Sequence, residues 1–372
     1  MTKLMSIRKK ANYKMLRNLF FFFALIIFTF WFIFKDQDLG ELFKTMGKVD
    51  IKFVILGAFL MFLTYLCEAN NIRSVLVALG EKKLKILTAL KLTWIGFFFS
   101  AITPSATGGQ PAEVYYMTKE NIKGANGTMA MLLQLCGFQI STLTISIICA
   151  ITNPYLLKDG IIWFYLLGFI LNGIVLTIML LCIFSKKITI KLANGTIKLF
   201  KLAKLKNVDK LKDNLFKGIE EYNESSKFIK KHPVEFIKAI SRVFIQIIIY
   251  YSIPYCIYKA FGLNDYSYFQ VFSMQAILYT TISGIPLPGS IGASESLFLK
   301  IFGLAFSKKL LNSAMLLCRG VNFYLYIVIS AVVVMINAVK TKDVVGEIDK
   351  KVHVFEETAG LPLSRQKIDN KA

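Results

Sequence analysis

Two carboxylates and one guanidinium stand out because they fall in stretches of the chain that otherwise carry almost no charge. Glu113 closes "TPSATGGQPAE" (103–113), Glu295 closes "PLPGSIGASE" (286–295), and Arg319 follows "LLNSAMLLC" (310–318). In each motif a proline precedes the carboxylate by nine residues, Pro104 before Glu113 and Pro286 before Glu295. Each also holds two glycines, Gly108 and Gly109 in the first, Gly289 and Gly292 in the second. Such clusters break helices. A helix restarting after the break presents unpaired N–H groups and a partial positive charge, a natural seat for an anion such as a lipid phosphate. Ser105, Thr107 and Ser290 add hydroxyl donors. Pro111 suits the first turn of the restarting helix, since it has no amide hydrogen to lose. Glu113, three residues after Gln110, is placed to reach back to a free amide as in a capping box, and Gly292 and Glu295 repeat the spacing. The alternative role for both carboxylates is to meet a cationic headgroup or to carry a proton, because ionisable groups at membrane depth are usually functional. Arg319 lies ten residues beyond Lys309, about 15 Å along a helix. Glu295 or a phosphate is its expected partner; if its helix starts later, it snorkels to the surface. The expected headgroup site is therefore Ser105, Thr107, Gly108, Gly109, Gln110, Glu113, Gly289, Ser290, Gly292, Glu295 and Arg319.

The elements that must position these residues are membrane helices. The chain has 372 residues, 55% of them apolar and 32 of them phenylalanine, with a mean hydropathy of +0.55. Thr128 to Ile151 and Gly160 to Ser185 contain no Asp, Glu, Lys or Arg, and each is long enough to cross a hydrocarbon core of roughly 30 Å. Further apolar segments lie near 18–34, 52–67 (extending toward 79), 86–117, 235–261, 268–304 and 309–337. The first follows a basic start but lacks a small-residue cleavage site, and reads as a retained helix.

The lysines set the expected topology. Residues 1–18 hold six Lys/Arg and no acid, and residues 185–233 hold 13 lysines against 5 acids. Both blocks belong on the cytosolic side. Residues 80–91, with Lys82, Lys83, Lys85 and Lys91, return inside, and the tail opening with Lys340 and Lys342 is inside as well. Parity then requires 86–117 to start and finish on the inner side and 268–304 to start and finish on the outer side. Lys308 and Lys309 fall outside on this count, against the trend. The fold class expected is an all-α polytopic membrane protein, with about six full spans and two re-entrant broken-helix hairpins in an inverted-topology repeat. Residues 1–340 form one transmembrane domain and 341–372 a cytosolic tail. Within 185–233 Val208, Leu211, Leu215, Ile219 and Tyr222 make one helical stripe, which suits a helix lying on the inner leaflet or docking a partner. Glu68 and Arg73 are expected at a cytosolic helix end, and Arg242 near a span end, where it snorkels or pairs.

Several classes are disfavoured. The net charge of +22 sits in blocks beside spans, which fits anionic lipid rather than nucleic acid. The six cysteines (Cys67, Cys136, Cys149, Cys182, Cys256, Cys318) lie in apolar stretches without a CxxC pair and read as core residues, not as disulfides or metal ligands. Both histidines, His232 and His353, fall outside the spans, so histidine catalysis within the membrane is excluded. No cofactor and no metal is expected.

The motifs "TPSATGGQPAEVYYM" and "PLPGSIGASESLFL" resemble the paired glycine/proline signatures of the lysylphosphatidylglycerol synthase transmembrane family, the flippase-like part of the multiple peptide resistance factor. The resemblance covers roughly residues 15 to 340. It implies a bacterial plasma-membrane protein with both termini cytosolic. It also implies movement of aminoacylated phosphatidylglycerol between leaflets, which lends resistance to cationic peptides. Full-length members carry an acyltransferase domain that makes the lipid from lysyl-tRNA and phosphatidylglycerol. Only 35 residues follow Asn337, so no transferase domain is expected, and a separate synthase polypeptide is a candidate partner, as is a second copy of the chain. Two readings compete: a membrane enzyme of lipid modification, with "KDQD" (35–38) as a metal-holding acidic pair, and a lipid-binding scaffold that moves nothing.

Overall fold

The computed structural model of the chain describes residues 47–103, 106–202, 208–283 and 293–337. The expected first span, the KDQD pair, most of the second break and the tail after Asn337 lie outside the described residues. Within them every element is helical. The order is α1 (Ile51–Ala78), α2 (Ile86–Ala101), α3 (Gly109–Lys119), α4 (Gly124–Thr152), α5 (Ile161–Phe184), α6 (Lys186–Leu202), α7 (Val208–Lys231), α8 (Pro233–Ala260), α9 (Tyr268–Ser283), α10 (Ala293–Phe302) and α11 (Lys308–Asn337). Five of these, α1, α4, α5, α8 and α11, are long and apolar enough to cross a bilayer. The chain is an all-α, multi-pass membrane protein. Its outer surface agrees: α5 exposes Trp163, Phe164, Leu167, Ile170 and Ile174, an apolar belt suited to lipid.

The sequence of elements occurs twice. α1, α2–α3 and α4 have 28, 16, 11 and 29 residues; α8, α9–α10 and α11 have 28, 16, 10 and 30. Equivalent helices pack together, α1 along α8, and the first helix of each half also meets the last helix of the other. The Asp50 amide, at the start of α1, donates to the Ala260 carbonyl at the end of α8 at 2.8 Å. The two first helices therefore run antiparallel, as an inverted repeat requires.

Both broken hairpins return to the end of the bundle from which they start. Lys91 of α2 pairs with Glu120, just past α3, at 2.7 Å. The loop before α2 meets the start of α4, where Glu81 accepts from the Lys123 amide at 3.1 Å and from Asn126 Nδ2 at 2.7 Å. At the opposite end, Tyr258 receives the Tyr266 amide at 2.8 Å, and its ring lies 5.6 Å from that of Phe306. Thus α9–α10 begins and finishes beside the C-terminus of α8. At roughly 1.5 Å per residue, none of the four hairpin helices reaches the thickness of a bilayer core.

A side chain from elsewhere satisfies the broken end of α9. Asn172, midway along α5, donates to the Thr280 carbonyl at 3.3 Å and to Ser283 Oγ at 2.8 Å in the last turn of α9. The approach is close: a Cβ on Gly168, one turn earlier, would lie 3.0 Å from Thr281 Cα. Such small-residue crossings and interhelical hydrogen bonds replace the hydrophobic effect inside a membrane.

The basic insert departs from expectation. α7 does not lie free on a lipid surface along its described length. Tyr222, Ser225, Ser226 and Ile229 are buried, and Tyr222 donates to the Cys182 carbonyl at 3.2 Å while Ser225 donates to Asn126 Oδ1 at 2.6 Å. The stripe that reads as membrane-seeking is, at Tyr222, a packing face, because it covers the carbonyls left open where α5 ends.

Candidate functional site

The first break resolves its freed backbone groups locally. Thr103 Oγ1 donates to the Phe99 carbonyl at 2.7 Å and accepts the Gly108 amide at 2.9 Å. Ser100 Oγ donates to the Ala106 carbonyl at 3.4 Å, and Ala106 takes a φ of 54° to make the turn. One threonine thus serves both the end of α2 and the start of α3, so the break needs little water.

α3 starts at Gly109, one residue before Gln110. Pro111 then falls in the first turn, as its missing amide favours, but Glu113 becomes the fifth helical residue. From there it does not reach back, and no side chain caps the helix; the expected capping box is not formed. Glu113 instead turns into the hairpin and lies on the bare backbone of Gly96 in α2, where any Cβ would collide with its carboxyl. A Cβ on Gly109 would lie 2.8 Å from the Gly96 carbonyl. Gly108 is similarly confined, by Thr103. The glycines let α2 and α3 touch. Glu113 is 4% exposed, and its Oε2 is buried without a hydrogen-bond partner.

Arg319 sits where the last span changes geometry. α11 is α-helical to Arg319 and then makes one π-type turn over Gly320–Tyr324, a distortion that recurs at functional sites. The guanidinium lies 5.7 Å from the centre of the Phe323 ring. Arg319, Asn322 and Phe323 form one wall of a cavity of about 200 Å³. α1 contributes Thr64, Tyr65 and Glu68, α8 contributes Gln246 and Tyr250, and α9 contributes Tyr279; Phe97 of α2 and Phe138 of α4 close it. Helices of both halves meet there. The Tyr65 hydroxyl is buried and has no partner.

Glu68 is the main residue that the sequence misplaces. The apolar run stops before it, yet α1 continues ten residues further to Ala78, which puts Glu68 in the cavity wall, not at a helix end. Its Oε2 accepts Gln246 Nε2 at 3.1 Å. Gln246 Oε1 accepts Gln134 Nε2 at 2.9 Å, and Gln134 Oε1 accepts Asn71 Nδ2 at 2.7 Å. This buried amide chain ties α1, α4 and α8 together. Its signal in the sequence is a carboxamide inside an uncharged window, which a count of charges passes over.

The remaining expected residues are placed as follows. Thr107 is exposed, Gln110 half-buried and Gly109 buried at the start of α3. The backbone of Glu295 lies in α10, while Ser105, Gly289, Ser290, Gly292 and the Glu295 side chain are outside the described residues. Among the described residues there is no cluster of metal-ligating side chains. Cys136, Cys149, Cys256 and Cys318 are buried, Cys67 and Cys182 half-buried, and all six thiols are free.

The site can hold a molecule that carries both signs of charge. A carboxylate and a guanidinium line one cavity together with aromatic rings suited to a cation. Comparison with known proteins gives two results. The family described as the lysylphosphatidylglycerol synthase TM region matches residues 19–330, and no curated protein matches the chain.

Proposed function

From the premise that the chain belongs to the lysylphosphatidylglycerol synthase TM-region family, we propose that it moves phospholipid between the leaflets of a bacterial plasma membrane. The preferred cargo is aminoacylated phosphatidylglycerol such as the lysyl form, and the consequence is resistance to cationic antimicrobial peptides. The observation that carries this reading is the cavity faced by Glu68 and Arg319 and walled by helices of both halves. Arg319 is suited to the lipid phosphate. Glu68 is suited to an ammonium of the aminoacyl group, with Phe97 and Tyr250 supplying ring faces.

The antiparallel pairing of α1 and α8 supports alternating access. Two equivalent hairpins entering from opposite ends give the headgroup one route from each leaflet, while its acyl chains stay in lipid. The start of α3 at Gly109 and Gln110, and the second motif with Gly289, Ser290, Gly292 and Glu295, act as secondary phosphate seats along these routes, whereas the Gly108 amide is already taken by Thr103 Oγ1. Ser105 and Thr107 add hydroxyls to the first. Both termini face the cytosol in this scheme, and the basic insert lies near the anionic inner leaflet.

The test is translocation by the purified chain in vesicles. Lysyl-phosphatidylglycerol confined to one leaflet is reacted with an amine reagent that does not cross the membrane, and its arrival in the other leaflet is followed in time. Protein-dependent arrival, faster than that of unmodified phosphatidylglycerol followed by an acyl-chain label, is expected. Arrival at the rate of protein-free vesicles contradicts the reading and favours a scaffold or an enzyme.

A further inference from the structure

Glu113 is a carboxyl buried in the membrane bundle and Glu68 one half-buried in the cavity wall, and among the described residues the charged groups around Glu113 leave it without a cation. On α2 the charged side chain is Lys91, which is bonded to Glu120 at 2.7 Å. α4 carries no charged residue. On α3 itself Lys119 lies over the Tyr115 ring at 5.1 Å. On α1, Arg73 donates through Nε to the Leu84 carbonyl at 2.7 Å, and on α8 Arg242 lies one turn before Gln246 and near Glu235. The other carboxyl of the bundle is Glu68 on α1. Glu68 in turn is faced by Tyr65, Tyr250, Tyr279 and Arg319 across the cavity.

A carboxylate at the depth of Glu113 does not persist without a cation beside it. The hydrogen bonds distinguish the two groups. Asn71 donates to Gln134, Gln134 to Gln246, and Gln246 to Glu68; every donor points toward Glu68, the terminal acceptor, as suits a carboxylate. Glu113 Oε2 receives no donor, as suits a neutral acid. A second buried polar group points to a ligand in the neighbouring cavity: the Tyr65 hydroxyl, on a residue 4% exposed, lines it without a partner.

We propose that Glu113 is a proton-binding site whose proton exchanges against the cationic amine of the headgroup, so that the chain is a proton–lipid antiporter; this rests on the function proposed above. In the exchange the O–H bond of the Glu113 carboxyl breaks and the proton leaves through cavity water. The ammonium of the entering headgroup takes over compensation of the Glu113 carboxylate. No other bond is made or broken, and the site gains one positive charge as it loses one. When the amine leaves on the far side, a proton from water there re-forms the acid. Gly96, on which Glu113 rests, immediately precedes Phe97 of the cavity wall, so the headgroup and the acid share one stretch of α2.

The experiment uses the full chain in vesicles, with two readouts. Infrared spectra at neutral pH should show the C=O band of a protonated buried carboxyl. That band should be lost in Glu113→Gln, which keeps the side-chain size, and should weaken in the wild type when lysyl-phosphatidylglycerol is added. With a pH dye inside, lipid arrival should be accompanied by opposite proton movement, and an imposed pH gradient should accelerate it severalfold in one direction only. A wild type without the band, or a band that survives Glu113→Gln, overturns the proton site whatever the lipid does. Lipid movement that ignores the gradient and moves no protons overturns the antiport and leaves the function standing. If the band behaves as expected but no lipid moves, the function and the antiport both fall.

Discussion

Gln246 of α8 donates to Glu68 of α1 at 3.1 Å, joining the first helices of the two halves at a cavity that contains Arg319. The bond is one of three in a buried amide chain, and breaking the chain in its middle has a defined effect. Gln134→Leu leaves Asn71 Nδ2 without its acceptor and Gln246 Oε1 without its donor. The expected loss is about 1–3 kcal/mol of folding stability, seen as a lower melting temperature in detergent. An unchanged melting temperature would mean that water or another side chain replaces both bonds.

The hairpin glycines separate packing from local flexibility. Gly109→Ala puts a methyl 2.8 Å from the Gly96 carbonyl, whereas Gly173→Ala in α5 meets nothing within 4 Å. The first should destabilise the chain by roughly 1–3 kcal/mol, and the second should be neutral or slightly stabilising because alanine favours a helix. Gly96→Ala should be rescued in part by Glu113→Ala, since the carboxyl is what its Cβ meets. Equal stability of the Gly109 and Gly173 variants would show that α2 and α3 separate easily.

Asn172→Leu removes the donor that holds the Thr280 carbonyl and Ser283 at the broken end of α9. A leucine there keeps the volume but leaves a carbonyl unsatisfied at membrane depth, which is costly. The variant should lose about 1–3 kcal/mol of stability, and hydrogen exchange in the last turn of α9 should quicken. Protection as strong as in the wild type would place the satisfaction of α9 elsewhere.

Much of this architecture is legible in the sequence, and the part that is not has a physical reason. Both hairpins follow from glycine and proline clusters in apolar runs and from the parity of the lysine blocks, because charge and backbone breakage are strong local signals. Arg319 is visible for the same reason: a charge deep in a span is rare. Glu68 is missed because a carboxylate ends an apolar run, whereas the helix ignores it and continues to Ala78; its partner Gln246 comes from 178 residues away. Gln134 and Asn172 sit in windows read as featureless because amides carry no charge. The capping role of Glu113 fails on one residue of register, since α3 begins at Gly109 and not at Gln110.

Topology is open to direct labelling. Replacing the six free cysteines and introducing Lys123→Cys or Asp265→Cys places single thiols at exposed loop positions flanking the two hairpins. An impermeant maleimide should reach position 265 from outside the cell and position 123 only after the cytosolic face is opened. Labelling of both from the same face would remove the inverted arrangement.

The Glu68–Arg319 cavity is the proposed path of the headgroup. The deciding measurement is the initial rate at which lysyl-phosphatidylglycerol appears in the opposite leaflet of vesicles holding wild type, Glu68→Gln, Arg319→Gln or Lys238→Gln. Lys238 lies outside the cavity and pairs with Glu235 three residues away. Each cavity variant, folded as judged by its melting temperature, should lose at least tenfold in rate, about 1.4 kcal/mol in the barrier, while Lys238→Gln matches the wild type. Wild-type rates in folded Glu68→Gln and Arg319→Gln would contradict the account and move the path out of this cavity.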